Sequence, residues 1–322
     1  MFRILVTIPN FSQAAKPVLE ALGAVTYAIP TQEKLAEALR DVAVAVVGLG
    51  LRIGREEIDA SPRLRIIATA TTGLDHIDLD AAKARGIEVV SLRGENAFLD
   101  TITGTAELAW GLLISLIRNI PAAAESVRAG KWDREAFRGH SLYGKTLGIV
   151  GLGRLGSMMA RFGEAFGMRV LFADPEVEAD AFLQYEKVSF DDLLGSSDVI
   201  SIHVHLSKET ELMFGDDAFS KMKPNAVLVN TSRGKIVDEA ALLAALEKGN
   251  LAGYAADVLA GELSFDPPST VSTSDPLVEY AKTHDNVLLV PHIGGNTIES
   301  RQATDIFLAK ILATRMLEAV VQ

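Results

Sequence analysis

The sequence predicts an α/β protein made of two open, doubly wound parallel-sheet domains. Short apolar runs bounded by turn residues alternate with helix-period patterns along nearly the whole chain, the order that parallel sheets with crossover helices require. One run, deep in the chain, feeds a glycine-rich turn and starts the pattern afresh, which divides it in two. A length of 322 residues, 48% hydrophobic and 23% charged, supplies two cores rather than one.

Residues 3–8 read as a strand and 12–22 as a helix stopped by Gly23. The run TYAIP is a second strand, Gln32 to Leu39 a helix, and Val42 to Val47 a fully buried strand. Ile53 to Ile58 is a helical turn. Leu64 to Ala70 is a strand closing on Thr71, Thr72, Gly73, Leu74 and Asp75, with His76 structural in that turn. Asp80 to Arg85 is a helix ended by Gly86, and Ile87 to Leu92 a strand. This first sheet carries no nucleotide fingerprint and is read as flavodoxin-like, residues 1–100 completed by 296–322, the final helix running from Glu299 to Val320. From Thr101 to Asn119 a long helix, stopped by Pro121, is apolar on most sides, which suggests burial between domains or between subunits. A polar stretch with Trp132 as a packing anchor leads into the second domain, residues 101–295.

That second domain opens with a strand, Thr146 to Val150, then Gly151-Leu152-Gly153-Arg154-Leu155-Gly156, a helical pattern, and a strand Arg169 to Ala173 ending on Asp174. Strand, glycine turn, helix, strand and acid within about thirty residues make a dinucleotide-binding unit. Gly151 permits the tight turn, Gly153 lets the backbone approach a pyrophosphate, and Gly156 lets helix and strand pack closely. The helix N-terminus, with Arg154 and Leu155 in its first turn, offers N–H groups to the phosphates. Asp174 is placed to accept hydrogen bonds from the adenosine ribose. Its neighbours Pro175 to Glu178 include no Arg or Lys for a 2′-phosphate, so NAD is expected over NADP. Further strands are read at Val199 to Val204, Ala226 to Asn230, Gly253 to Val258 and Val287 to Val290. Helices are read at Asp216 to Met222 and Asp238 to Lys248, and Ser264 to Asp275 reads as an irregular loop.

A net charge of −11 without a basic cluster disfavours a nucleic-acid partner. The absence of cysteine excludes disulfides, thiolate metal sites and a thiol nucleophile. The N-terminal apolar run is too short for a signal-peptide core. No run approaches the roughly 20 residues that span a bilayer, so a soluble, cytoplasmic protein with no membrane partner is expected.

Arg233, Glu262 and His292 each fall just past a strand end, the edge where doubly wound sheets bind ligands. An arginine's planar fork grips a carboxylate, a histidine exchanges a proton near neutral pH, and a carboxylate beside such a histidine favours its charged form. His203 and His205 share one face of a strand and formally suggest a metal pair. They are read instead as cofactor-pocket wall or packing, and no metal is expected.

The segments GKTLGIVGLGRLG, NTSRGKIVDEAALLAAL, AADVLAGE and PHIGGNT, in that order, resemble the D-isomer-specific 2-hydroxyacid dehydrogenases along nearly the whole chain. The resemblance implies a substrate domain followed by a Rossmann NAD-binding domain. It implies NAD-dependent interconversion of a small 2-oxo acid and its D-2-hydroxy acid, with His292 as acid/base, Glu262 tuning it and Arg233 clamping the carboxylate. It further implies Asp257 near the nicotinamide amide, Thr231 and the adenine-side His203 as cofactor contacts, and Thr72, Gly73 and Leu74 meeting the substrate carboxylate through backbone groups. A homodimer through the Thr101–Asn119 helix is expected. Where phosphoglycerate users carry phosphate-binding arginines, this chain has Gly48 and Thr69, although Arg52 is close by, and no regulatory domain is expected after the last helix. The segment Arg93 to Glu107 reads as longer than usual and offers Arg93 and Phe98 as substrate contacts. NAD-sensing corepressor-like proteins share the fold and are the alternative, disfavoured by the lack of long disordered tails. A hydrolase that retains NAD has only the nucleotide unit in its favour.

Overall fold

The computed structural model describes residues 2–178, 182, 184–262 and 275–321. They form two compact units. One comprises the residues up to Ile102 with those from Asn296 onward, the other Thr103–Glu262 with the residues through Gly295.

The first unit is a five-stranded sheet of β1 (Phe2–Val6), β2 (Gly23–Tyr27), β3 (Val44–Val47), β4 (Ile66–Thr69) and β5 (Glu88–Val90). All neighbours are parallel in the order β2-β1-β3-β4-β5, the flavodoxin-like arrangement. β3 and β4 are buried throughout, because helices cover both faces and leave no residue facing water. The terminal helix Ile298–Val321 belongs to this unit. Its Leu308, Ala309, Leu312 and Met316 complete the core over Ile4, Val6, Val44 and Val46, each of the three larger side chains contributing about 1.5–3 kcal/mol. Asp305 on the same helix accepts the Ser12 N–H at 2.9 Å.

The second unit is a seven-stranded sheet: β6 (Thr146–Val150), β7 (Arg169–Ala173), β8 (Glu186–Lys187), β9 (Val199–Ile202), β10 (Val227–Asn230), β11 (Gly253–Ala256) and β12 (Val287–Leu289). The order β12-β11-β10-β9-β6-β7-β8 reverses direction at β6, the switch point of a Rossmann sheet. Register levels the working edge. Val150 pairs with Ala173 and Ile202, Asn230 with Ala256, and Ala256 with Leu289.

Several expected boundaries shift for identifiable reasons. The first helix spans only Lys16–Glu20, since Pro17 lacks an N–H and suits only a first turn. For the same reason Pro121 opens a helix instead of closing one. The long helix ends at Ile117, Asn119 turns left-handed (φ 52°) and Ile120–Arg128 is a new helix with the proline in its first turn. The helix Gly104–Ile117 buries Leu112, Leu113, Leu116 and Ile117 in a core shared with Leu147, Val229 and Ala255 of its own sheet. Its apolar character is thus largely accounted for within the unit. Trp132 is not a packing anchor, being 89% exposed. Helices Asn96–Leu99, Phe190–Ser196 and Pro276–Ala281 go unread in the sequence. The Ser189 cap on Asp192 N–H and the Asp275 cap on Leu277 and Val278 N–H are the local signals that mark two of them. Phe98 stacks on Phe307 with ring centroids 3.9 Å apart, which commits its ring to packing within the first unit, while Arg93 is exposed. Apart from Asp275, the expected loop Ser264 to Asp275 lies outside the described residues. Among the described residues no helix is long and apolar enough to cross a membrane.

Candidate active site

At the switch point the chain leaves β6 through Gly151 (φ +90°), where a Cβ would stand 2.7 Å from the His203 carbonyl oxygen. Gly156, in the first turn of the helix Arg154–Ala165, lies so close to the turn that its Cβ would meet the Gly151 oxygen at 2.1 Å. Gly153 is the opposite case. It caps the helix without a side-chain hydrogen bond, and among the described residues nothing beyond its own chain neighbours and helix backbone lies within 4 Å of where its Cβ would be. The backbone is therefore open beside the helix N-terminus, the cradle a pyrophosphate needs. Asp174 does more than its position suggested. Its Oδ2 accepts the Leu152 N–H at 2.8 Å and its Oδ1 the Glu176 N–H at 2.9 Å, so it braces the glycine turn while each oxygen keeps acceptor capacity for a ribose hydroxyl. Thr231, buried just past β10, holds an Oγ1 with no hydrogen-bond partner among the described residues, as a group awaiting a ligand would.

His203 and His205 do not share a strand face, because β9 ends at Ile202 and both residues lie beyond it, where the chain passes close against Gly151. The His203 N–H still donates to the Val150 carbonyl at 2.7 Å. Its ring Nε2 sits 2.8 Å from the Ser201 hydroxyl, and burial pushes its pKa down to about 4, so the ring is neutral at pH 7. His205 is exposed.

Three strand ends carry the other candidates. Beyond β10, buried Asn230 organises the turn. Its Nδ2 donates to the Arg233 carbonyl at 2.9 Å, and its Oδ1 accepts the Ser232 N–H at 3.0 Å. The Ser232 hydroxyl donates to Ile202 O at 2.8 Å, and the Arg233 Nη1 donates to Ser232 O at 2.7 Å. Beyond β11, Glu262 closes a turn whose backbone runs from Leu259 O to the Glu262 N–H at 3.3 Å. Beyond β12, His292 adopts a left-handed backbone (φ 51°) and places its Nδ1 3.0 Å from the Glu262 Oε1. Both side chains are partly buried, 27% and 19% exposed, enough to shield the pair without sealing it. Arg233 joins them through the backbone. The adjoining Gly234 is pressed against Leu259 and Ala260, a Cβ there standing 2.0 Å from the Leu259 carbonyl carbon.

Asp257 holds the histidine's turn. One carboxylate oxygen accepts the Ile293 N–H at 2.6 Å and the other the Gly294 N–H at 2.7 Å. Burial pushes this carboxyl up, against the pull of those two N–H groups and of His292. In the first unit, Thr72, Gly73 and Leu74 follow β4, and the Thr71 hydroxyl pins their turn by donating to Gly73 O at 2.7 Å. Asn230 and Asp257's backbone role were not read from sequence. The NTSRG segment contains the first, but only a folded turn shows that its amide bonds both sides.

Residues 110–294 match the family described as D-isomer specific 2-hydroxyacid dehydrogenase, NAD binding domain. The chain is 37% identical to a D-3-phosphoglycerate dehydrogenase of Methanocaldococcus jannaschii over 100% of its own length and 59% of the relative's. The chain thus spans little more than half of that enzyme, and 50% of the corresponding one of Mycobacterium tuberculosis, to which it is 39% identical over 86% of its own length. It is 37% identical to a glyoxylate reductase of Thermococcus litoralis over 88% of this chain and 83% of that one. The solved D-lactate dehydrogenase of Aquifex aeolicus, complexed with NAD and lactic acid, is similar with a TM-score of 0.85 and 28% identity, over 99% of this chain and 96% of that chain. The family match covers the glycine turn, Arg233, Glu262 and His292 together, and the chain belongs to the D-isomer-specific 2-hydroxyacid dehydrogenase family, with that family's NAD-binding domain.

Proposed function

We propose that the protein is an NAD-dependent dehydrogenase interconverting a small 2-oxo acid and its D-2-hydroxy acid. The observation that carries this reading is the 3.0 Å contact between His292 Nδ1 and Glu262 Oε1 at the ligand-binding edge of an NAD-binding sheet. NAD(H), when bound along Gly151–Gly156, supplies or accepts the hydride. A carboxylate can only accept a hydrogen bond, so Glu262 fixes a proton on Nδ1 and leaves Nε2 to exchange one with the substrate oxygen. In reduction Nε2 delivers that proton to the 2-oxo oxygen, and in oxidation it takes the hydroxyl proton back. Arg233 holds the substrate carboxylate by its fork, and Asp257 keeps the His292 turn in place. Thr231 and His203 complete the cofactor side.

An absorbance screen of NADH and NADPH oxidation tests the reading against glyoxylate, hydroxypyruvate, pyruvate, branched 2-oxo acids, 2-oxoglutarate and phosphohydroxypyruvate. Turnover with at least one acid, faster with NADH, is expected, because Asp174 would repel a 2′-phosphate. Inactivity with every acid would sink the assignment.

We also propose a homodimer. The helix Ile120–Arg128 and the segment after it expose Ile120, Val127, Trp132 and Tyr143, large apolar side chains concentrated in one stretch, as at interfaces between chains. Light scattering should give the mass of two chains for the native protein and of one for Trp132→Glu. A native monomer at micromolar concentration would refute the pairing.

A further inference from the structure

A carboxylate outside the Arg233, Glu262 and His292 set stands behind it. Glu239 is the first residue of the helix Glu239–Glu247, yet it does not cap that helix. Asp238 already accepts the Ala240 and Ala241 N–H groups at 3.0 and 3.1 Å. The Glu239 side chain instead crosses to the next strand end, where its Oε1 accepts the Ala260 N–H at 2.8 Å.

Ala260 lies in the middle of the turn that delivers Glu262. In that turn the Leu259 N–H approaches Glu262 Oε2 at 3.4 Å, and the other Glu262 oxygen, Oε1, faces His292. Gly234 presses on the same two residues, Leu259 and Ala260. One peptide, 259–260, is therefore where the Arg233 turn, the Glu262 turn and the helix Glu239–Glu247 meet, and Glu239 supplies its side-chain hydrogen bond.

The surroundings do not favour a carboxylate there. Glu239 is half-buried. Burial pushes its carboxyl up, the Ala260 N–H pulls it down, and Asp275, Glu262 and Asp238 push it up again. The Ala260 bond and the positive end of its own helix offset the repulsion, and both act at the turn that sets Glu262.

We infer that Glu239 is a positioning residue for the proton-transfer pair, holding Glu262 against His292 through the Ala260 N–H. The inference rests on the dehydrogenase reading for its kinetic consequence, but not for its structural one. A 1 Å misplacement of an orienting group is costly in rate and nearly invisible in binding. Removing the acceptor should therefore lower kcat and leave KM close to native.

The test compares Glu239→Ala, Glu239→Gln and Glu239→Asp with the native protein and with Glu262→Gln. One readout is steady-state kinetics on the 2-oxo acid that the native protein reduces fastest. The other is the nitrogen-15 shift of the His292 Nδ1 in histidine-labelled protein, assigned by its loss in His292→Asn, which needs no turnover. Glu239→Ala should lose on the order of tenfold in kcat with KM within about twofold, and should move the Nδ1 signal toward its position in Glu262→Gln. Glu239→Gln keeps an acceptor for Ala260 and should restore most of both. Glu239→Asp keeps the charge but draws it back, and should behave like Glu239→Ala, carrying the test if the alanine variant does not fold. The inference is overturned by an unmoved Nδ1 signal in Glu239→Ala and Glu239→Asp, whether or not stability falls. It is equally overturned if Glu239→Gln is as impaired as Glu239→Ala. A native protein inactive on every acid would remove the dehydrogenase reading, while the Nδ1 signal would still decide the role of Glu239.

Discussion

Replacing His292 with Asn should lower turnover by about 10²–10⁴, or about 3–5.5 kcal/mol of transition-state stabilisation, while NADH binding stays near native. Asparagine suits this position because His292 has a left-handed backbone, φ 51°, which Asn tolerates better than Ala or a β-branched residue. The turn itself is anchored from outside the side chain, by Asp257 on the Ile293 and Gly294 N–H groups. The variant therefore removes the exchangeable proton and little else. With chemistry slowed, KM approaches the dissociation constant of the 2-oxo acid, so a large drop in kcat with a modest change in KM identifies a proton-transfer role. Steady-state kinetics and a fluorescence titration with NADH measure the two halves. Turnover equal to the native enzyme would end the assignment of His292 as acid/base.

The central strands of both sheets were legible because they are buried on two faces and so appear as apolar runs, and β6 and β7 have their limits correctly placed, whereas the charged edge strand β8, Glu186–Lys187, has no such run and went unread. The glycine turn was legible because sterics there admit few alternatives, as the 2.1 Å approach of a Gly156 Cβ to Gly151 O makes plain. The contact between His292 and Glu262 was implied only by resemblance, since spacing along a chain cannot show that two strand ends meet. Less accessible still were bonds that join distant segments through backbone groups, such as Asp174 to Leu152 and Glu239 to Ala260. Nothing in the local pattern distinguishes those carboxylates from solvated ones. Pro121 was misread for a different reason. A proline marks a helix boundary without saying which side the helix lies on, and here Asn119 provides the left-handed break that lets a second helix begin.

Arg233→Ala should reduce kcat/KM by about 10²–10³, the loss of two charge-assisted hydrogen bonds whose net value is about 3–4 kcal/mol. The turn should survive the change. Asn230 bonds the backbone carbonyl of Arg233 and the N–H of Ser232, and Ser232 bonds Ile202, none of which needs the guanidinium. The bond from Nη1 to Ser232 O is lost, but Ser232 is only partly buried, so water can reach that carbonyl. Arg233→Lys separates charge from geometry. An ammonium restores attraction for the carboxylate but not the planar two-point grip that orients it, so it should recover roughly tenfold of the loss and no more. If the arginine only attracted the anion, lysine would restore kcat/KM almost fully and added salt would erase the difference between the two. If it orients the substrate, kcat falls together with affinity, and the deficit of the lysine variant persists at high salt. Steady-state kinetics of the three proteins at low and high ionic strength distinguish these outcomes, and an unaltered kcat/KM in Arg233→Ala would count against the clamp altogether.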